Sequence, residues 1–157
     1  MAKNTVKVAR YRTTDYILNY PTDAGAVRTY VWSGSKGKHV DVKELPKEVV
    51  DYLLINSLCF KNGDLAIVED TQEAKEIVDS MPEKEEYKAN THSREEAEKL
   101  LKGNFNKMKA ELNKITNKDE KKFFIEVAKE IGLDSHGKLK FLADWYGVKF
   151  DLLFGEV

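Results

Sequence analysis

The spacing of apolar residues changes period part-way along this chain. Near the start, Val6 and Val8 alternate with polar neighbours, as on a half-buried strand, and Tyr16-Ile17-Leu18 continues in that manner. Residues 19–25, Asn-Tyr-Pro-Thr-Asp-Ala-Gly, carry turn chemistry: proline presets φ, and Asp and Gly tolerate tight dihedrals. Val27, Thr29 and Val31 then fall on one face of a second strand, with Arg28, Tyr30 and Trp32 on the other. Ser33 to Lys38 reads as a hairpin connection that returns residues 39–42 as the partner of that strand. From Pro46 the period becomes helical. Proline suits a first turn, and Val49, Val50, Leu53 and Leu54 form a stripe, predicting a helix over 46–57. Asn62-Gly63 signals a turn before a strand-like run from Leu65 to Val68.

The second half of the chain is helical by pattern. Ser93 and Glu96 have the spacing of a capping box, and Ala97, Leu100, Leu101, Phe105, Met108, Leu112 and Ile115 follow at helical spacing, divided or weakened at Gly103. Thr116 to Asp119 starts a second segment carrying Phe123, Phe124, Val127, Ala128 and Ile131, with Gly132 at its end. Asp134-Ser135 caps a third, with Leu139, Leu142, Trp145 and Tyr146, closed by Gly147. The tail from Val148 is too apolar to stay in water, so Phe150, Leu152, Leu153 and Phe154 are expected to pack on this module or on a partner.

Charge separates these halves. Residues 69–90 hold eight Asp/Glu against three Lys/Arg and few large apolar residues, and so read as an acidic linker with one short helix. The expected fold class is α+β. A β-rich domain (1–70) carries one packed helix, a linker spans 71–92, and a three-helix module spans 93–157. A net charge of −1 disfavours nucleic acid as the dominant partner. No apolar run approaches the roughly 20 residues that span a bilayer, and the first residues lack the apolar core of a secretory signal, so the expected compartment is the cytoplasm of the producing cell. The single cysteine, Cys59, lies between Leu58 and Phe60 and reads as a buried structural thiol.

Chemistry is sparse in the pattern. The three histidines, His39, His92 and His136, share no metal-ligand spacing and read as surface or capping residues. Gly37-Lys38 is followed by His39 and a strand, which is not the context of a phosphate-binding loop. Carboxylates sit in the acidic segment or beside lysines on a helix face. The expectation is therefore a non-enzymatic protein without catalytic residues, metal or cofactor. Tyr16, Tyr20, Tyr30 and Trp32, interleaved with Arg12, Arg28, Lys36 and Lys38, offer an aromatic–basic strand surface of the kind that stacks single-stranded nucleic acid, but the preferred reading puts Trp32 or Tyr30 in the core of a small barrel. The strand faces around Tyr30 and Trp32 also offer contacts to a protein. With Phe150, Leu153 and Phe154, Tyr30 and Trp32 are the candidate protein contacts. Lys118, Lys121, Lys122, Lys138 and Lys140 are the candidates for nucleic acid, offset by Asp119, Glu120, Glu126 and Asp144.

The order of elements adds a resemblance. Pro46, Lys47, Val49, Tyr52 and Leu53 in the first half, and Ala128, Ile131, Gly132, Lys138, Leu142 and Ala143 in the second, make the chain resemble small two-module proteins from the virion-morphogenesis regions of tailed bacteriophages and Mu-like prophages. In that group a strand pair leads into a helix, and a helix-extension-helix module follows. The resemblance implies a structural or assembly protein located in the virion, and in the host cytoplasm during assembly. Its implied partner is a repeated virion protein of the capsid, portal or tail. A DNA-binding regulator or packaging accessory acting through the helix-extension-helix module is the alternative, and an inhibitor of a host protein a third. Residues 15–26 have no counterpart in the group.

Overall fold

The computed structural model describes residues 5–22, 24–36 and 38–155. Asp23 in the first expected turn, Gly37 in the expected connection, and the two terminal residues of the tail lie outside that set. The chain divides into two compact units, Met1–Thr91 and His92–Val157, each with its own apolar core. The architecture is α+β.

In the first unit, β1 (Thr5–Arg10) lies at the centre of a three-stranded antiparallel sheet, between β4 (Asp41–Pro46) and β5 (Ala66–Ile67). A separate two-stranded sheet joins β2 (Tyr16–Pro21) to β3 (Val27–Trp32). This corrects the expected pairing. Residues 41–46 return not to β3 but to β1, with Val8 opposite Lys43, and the segment between β3 and β4 closes only an isolated Lys36–His39 bridge. The register explains the choice, because it sends Val6, Val8 and Leu45 to the core together.

Helix α1 (Lys47–Asn56) starts directly after β4, with Pro46 as its N-cap residue, and buries Val49, Val50 and Leu53. The acidic segment is a second correction. It forms α2 (Gln72–Asp79) and α3 (Lys84–Ala89), and Ala74, Ile77, Val78, Met81 and Tyr87 are buried in the same core as the strands. Ala74, Ile77 and Val78 fall at i, i+3 and i+4 of α2, a narrow stripe whose other faces carry the acids. The Tyr87 hydroxyl accepts from the Ile67 amide at 2.9 Å, which fastens α3 to β5.

A buried polar cluster closes this unit. Arg10 and Arg12, 4% and 3% exposed, converge on Asp64: Arg10 donates to the Asp64 carbonyl at 2.7 Å, and Arg12 donates to its carboxylate at 2.9 Å. Arg12 also donates to the carbonyls of Asn62 and Asn90, at 2.6 and 3.3 Å. Guanidinium forks can serve several acceptors at once, so one residue of β1's extension holds both the 62–64 turn and the end of α3. Gly63 is obligatory there, since its φ is +76° and a Cβ would lie 1.8 Å from the Asn90 carbonyl oxygen.

The second unit contains α4 (Arg94–Lys102), α5 (Phe105–Leu112), α6 (Lys118–Glu130), α7 (His136–Tyr146) and α8 (Phe150–Phe154). The capping box at Ser93 and Glu96 is formed in both directions. Gly103 ends α4, and Asn104 then caps α5 by accepting from the Lys107 amide, so the first expected helix is two. Phe123, Phe124, Leu101, Met108, Leu112 and Leu142 fill the core. Gly132 and Gly147 both have left-handed φ, at the ends of α6 and α7. The apolar tail is α8, with Leu153 and Phe154 packed on this core.

Candidate protein-contact surface

The β2–β3 hairpin has two faces, and their composition decides which is buried. Tyr16, Leu18 and Tyr20 stand opposite Trp32, Tyr30 and Arg28 on one face. Aromatic side chains bury about 150–250 Å² each, more than the β-branched residues on the other face have to offer, so the aromatic face turns inward. Trp32 is 0% exposed and donates from Nε1 to the Val8 carbonyl at 3.0 Å. Its ring lies 6.2 Å from that of Tyr16 and 6.3 Å from that of Tyr30, while Tyr20 meets Tyr52 of α1 edge-on at 5.2 Å. Trp32 therefore has no surface to offer a partner, and Tyr30 is half-buried against the core.

The opposite face is left to solvent. It pairs Ile17 with Val31, Asn19 with Thr29, and Pro21 with Val27, and all six are exposed. Ile17, Val27 and Val31 are 61%, 62% and 45% exposed. The Thr29 hydroxyl donates to the Asn19 side-chain oxygen at 2.8 Å, so the central pair satisfies itself across the strands. No ladder position on this face is charged, in a chain where 34% of residues are. The result is an uncharged, mostly β-branched surface whose reverse side is packed into the core. Among the described residues, each strand of the two-stranded sheet also has one edge with no strand beside it, the backbone feature that accepts an added strand.

These surfaces belong to a recognisable lineage. Residues 4–83 match the YonA N-terminal domain, and residues 93–152 match the YonA C-terminal domain. The chain belongs to the YonA family. The name is that of a phage-region protein, so at this level the chain is a two-module, phage-associated protein. Among curated proteins and among solved structures, nothing matches. The YonA N-terminal match runs through α2, in keeping with the burial of that helix in the first core.

The other expected contacts are distributed through the second YonA unit. Phe150, Leu153 and Phe154 are half-buried, with the Phe150 ring 5.3 Å from that of His136 and 5.7 Å from that of Phe154. Asp151 and Leu152 are the exposed residues of α8, and Leu152, expected to pack with its neighbours, is 78% exposed. It borders an open apolar groove of about 530 Å³ between α8 and the ends of α6 and α7. Three of the five candidate lysines are engaged within the unit. Lys138 donates to the carbonyls of Leu101 and Gly103 at 2.7 and 2.8 Å, Lys121 donates to the Trp145 carbonyl at 3.3 Å, and Lys118 lies 5.8 Å from the Tyr146 ring centroid. Lys122 and Lys140 are exposed.

Two buried groups escaped the sequence reading. His92 is not at a linker edge; its Nδ1 lies 2.8 Å from the carboxylate of Glu120, which is 1% exposed, and its ring meets Phe124 edge-on. Glu120 sits in the first turn of α6 at a position flanked by charges, so nothing in its surroundings along the chain distinguishes it from a solvated acid. Cys59 is buried, and that burial pushes its thiol up to about 11. Burial likewise raises the Tyr16 hydroxyl, to about 12. Among the described residues no group of three or more His, Cys, Asp or Glu is placed to hold a metal ion.

Proposed function

We propose that this YonA-family protein is a non-enzymatic structural or assembly protein of a phage, whose first unit docks on a repeated virion protein of the capsid or head-tail region. The observation that carries this reading is the uncharged ladder of Ile17, Asn19, Pro21, Val27, Thr29 and Val31, backed by the core. Leaving β-branched residues exposed on a sheet invites association, and proteins that do not use such a face place charges on it.

The patch amounts to a few hundred Å², below the roughly 800 Å² per partner of a stable interface. A single contact of that size is weak. A chain with two folded units offsets this when the second unit makes its own contact, because the first then holds it at high local concentration.

The test is a single charge placed on the exposed face, in its Ile17–Val31 pair. Val31→Lys is expected to leave the melting temperature within about 2 °C of the parent, since exposed substitutions cost little. It is also expected to reduce recovery of the protein in purified particles and assembly intermediates at least tenfold. Unchanged recovery, or absence of the parent protein from every particle and intermediate, rejects the reading.

A further inference from the structure

The second unit carries a surface of a different chemistry. Between Lys102 and Lys118 the chain holds five lysines, Lys102, Lys107, Lys109, Lys114 and Lys118, and one acid, Glu111. Helix α5 lies within this stretch and buries Met108 and Leu112, with Ile115 buried just beyond it. Its exposed residues, with those of the turn continuing it, are Asn106, Lys107, Ala110, Asn113 and Lys114. These fall at i, i+1, i+4, i+7 and i+8, and so share one face. No carboxylate lies on it. Glu111 is half-buried at its flank and pairs with Lys114 at 3.2 Å, an exposed contact that a phosphate readily replaces.

Two further cations lie in the same unit beside α5. Lys138 of α7 is anchored on the carbonyls of Leu101 and Gly103, and Lys109 lies 4.6 Å from the Phe105 ring centroid. We propose that the α5 face of the second unit binds double-stranded DNA, chiefly through its phosphates. This goes beyond the docking role of the first unit.

Two features select DNA over an acidic protein. The face has no aromatic, Met or branched aliphatic residue to form the dry centre of a protein interface, whereas DNA interfaces are polar and positively charged. Its side-chain amides donate and accept, as contacts to phosphates and base edges require.

The experiment is fluorescence anisotropy of the full chain with a labelled mixed-sequence duplex of about 30 bp, from about 25 to 200 mM salt. With Lys102, Lys107 and Lys114 as the contacts, log K is expected to fall with log salt at a slope of about −3. Lys107→Gln with Lys114→Gln is expected to weaken binding about tenfold or more at low salt and to lower the slope magnitude by about 2. The pair Lys75→Gln and Lys88→Gln, exposed on the first unit, is expected to change neither. Circular dichroism checks that all variants are folded. Lack of binding at the lowest salt overturns the proposal, as does a slope that the α5 pair leaves unchanged. Displacement of the duplex by polyglutamate as effectively as by unlabelled duplex also overturns it, and assigns the face to an acidic protein.

Discussion

Replacing Trp32 with Phe separates a core residue from a contact residue. Trp32 is 0% exposed, its indole N–H is spent on the Val8 carbonyl at 3.0 Å, and its ring is in contact distance of Tyr16 and Tyr30. Removing the donor leaves that carbonyl short of a partner, at about 1–3 kcal/mol, and the smaller ring leaves a void costing about 1 kcal/mol more. A loss of about 2–4 kcal/mol in a unit of this size corresponds to a melting point lower by roughly 10–20 °C. The assay is favourable because the chain has two tryptophans, one in each unit. In a Trp145→Phe background, fluorescence during urea unfolding reports the first unit through Trp32 alone, and comparison with circular dichroism melts of the Trp32→Phe chain gives its cost. Val31→Thr, one residue away on the exposed face, is expected to stay within about 0.5 kcal/mol. If Trp32→Phe unfolds with the parent while losing particle recovery, Trp32 is a contact and the face assignment is inverted.

Two further outcomes follow from buried groups in the same unit. Gly63→Ala forces a Cβ to within 1.8 Å of the Asn90 carbonyl at φ +76°, so it is expected to cost more than about 3 kcal/mol in urea unfolding; a change below about 0.5 kcal/mol contradicts that packing. Cys59 is raised from its ordinary 9.0 to about 11, so the folded unit holds this proton more tightly than the unfolded chain does. Its contribution is therefore full below pH 9 and declines as pH rises towards 11, by about 2–3 kcal/mol in total, and Cys59→Ala should flatten that alkaline limb in denaturation curves. An equally steep limb in Cys59→Ala assigns it to another group; the raised Tyr16, half-exposed, adds a smaller fall above pH 10.

The features legible from sequence were those settled by local chemistry. Ser93 and Glu96, Asn117, Gly132 and Gly147 each act within a turn of the helix they begin or end, so spacing alone revealed them. Pairing was not local. That β4 returns to β1 across more than thirty residues, rather than to its neighbour β3, depends on burying Val6, Val8 and Leu45 together. The acidic segment misled because charge describes a helix's outer faces, while Ala74, Ile77 and Val78 fill a stripe too small to stand out among eight acids. For the candidate site, the alternation along β3 was plain, but both of its faces are hydrophobic enough to be buried. Only the partner strand, with Tyr16, Leu18 and Tyr20 on one side and Ile17, Asn19 and Pro21 on the other, resolves the choice.

The same inversion explains why exposed chemistry differs between the units. In the first, the large aromatic groups are consumed by the core and by the cation–π contact of Arg10 with Tyr16, at 5.4 Å, which leaves small uncharged residues outside. In the second, the core takes the stripe of Phe123, Phe124, Met108 and Leu112, and the remaining surface of α5 is Lys, Asn and Ala. On the proposed readings, an uncharged ladder suits a protein surface and an acid-free cationic face suits a polyanion, so neither surface competes for the partner of the other. Because each unit has its own core, a substitution on one face is expected to alter one contact without unfolding the other unit. On the proposed reading, such a chain joins two components.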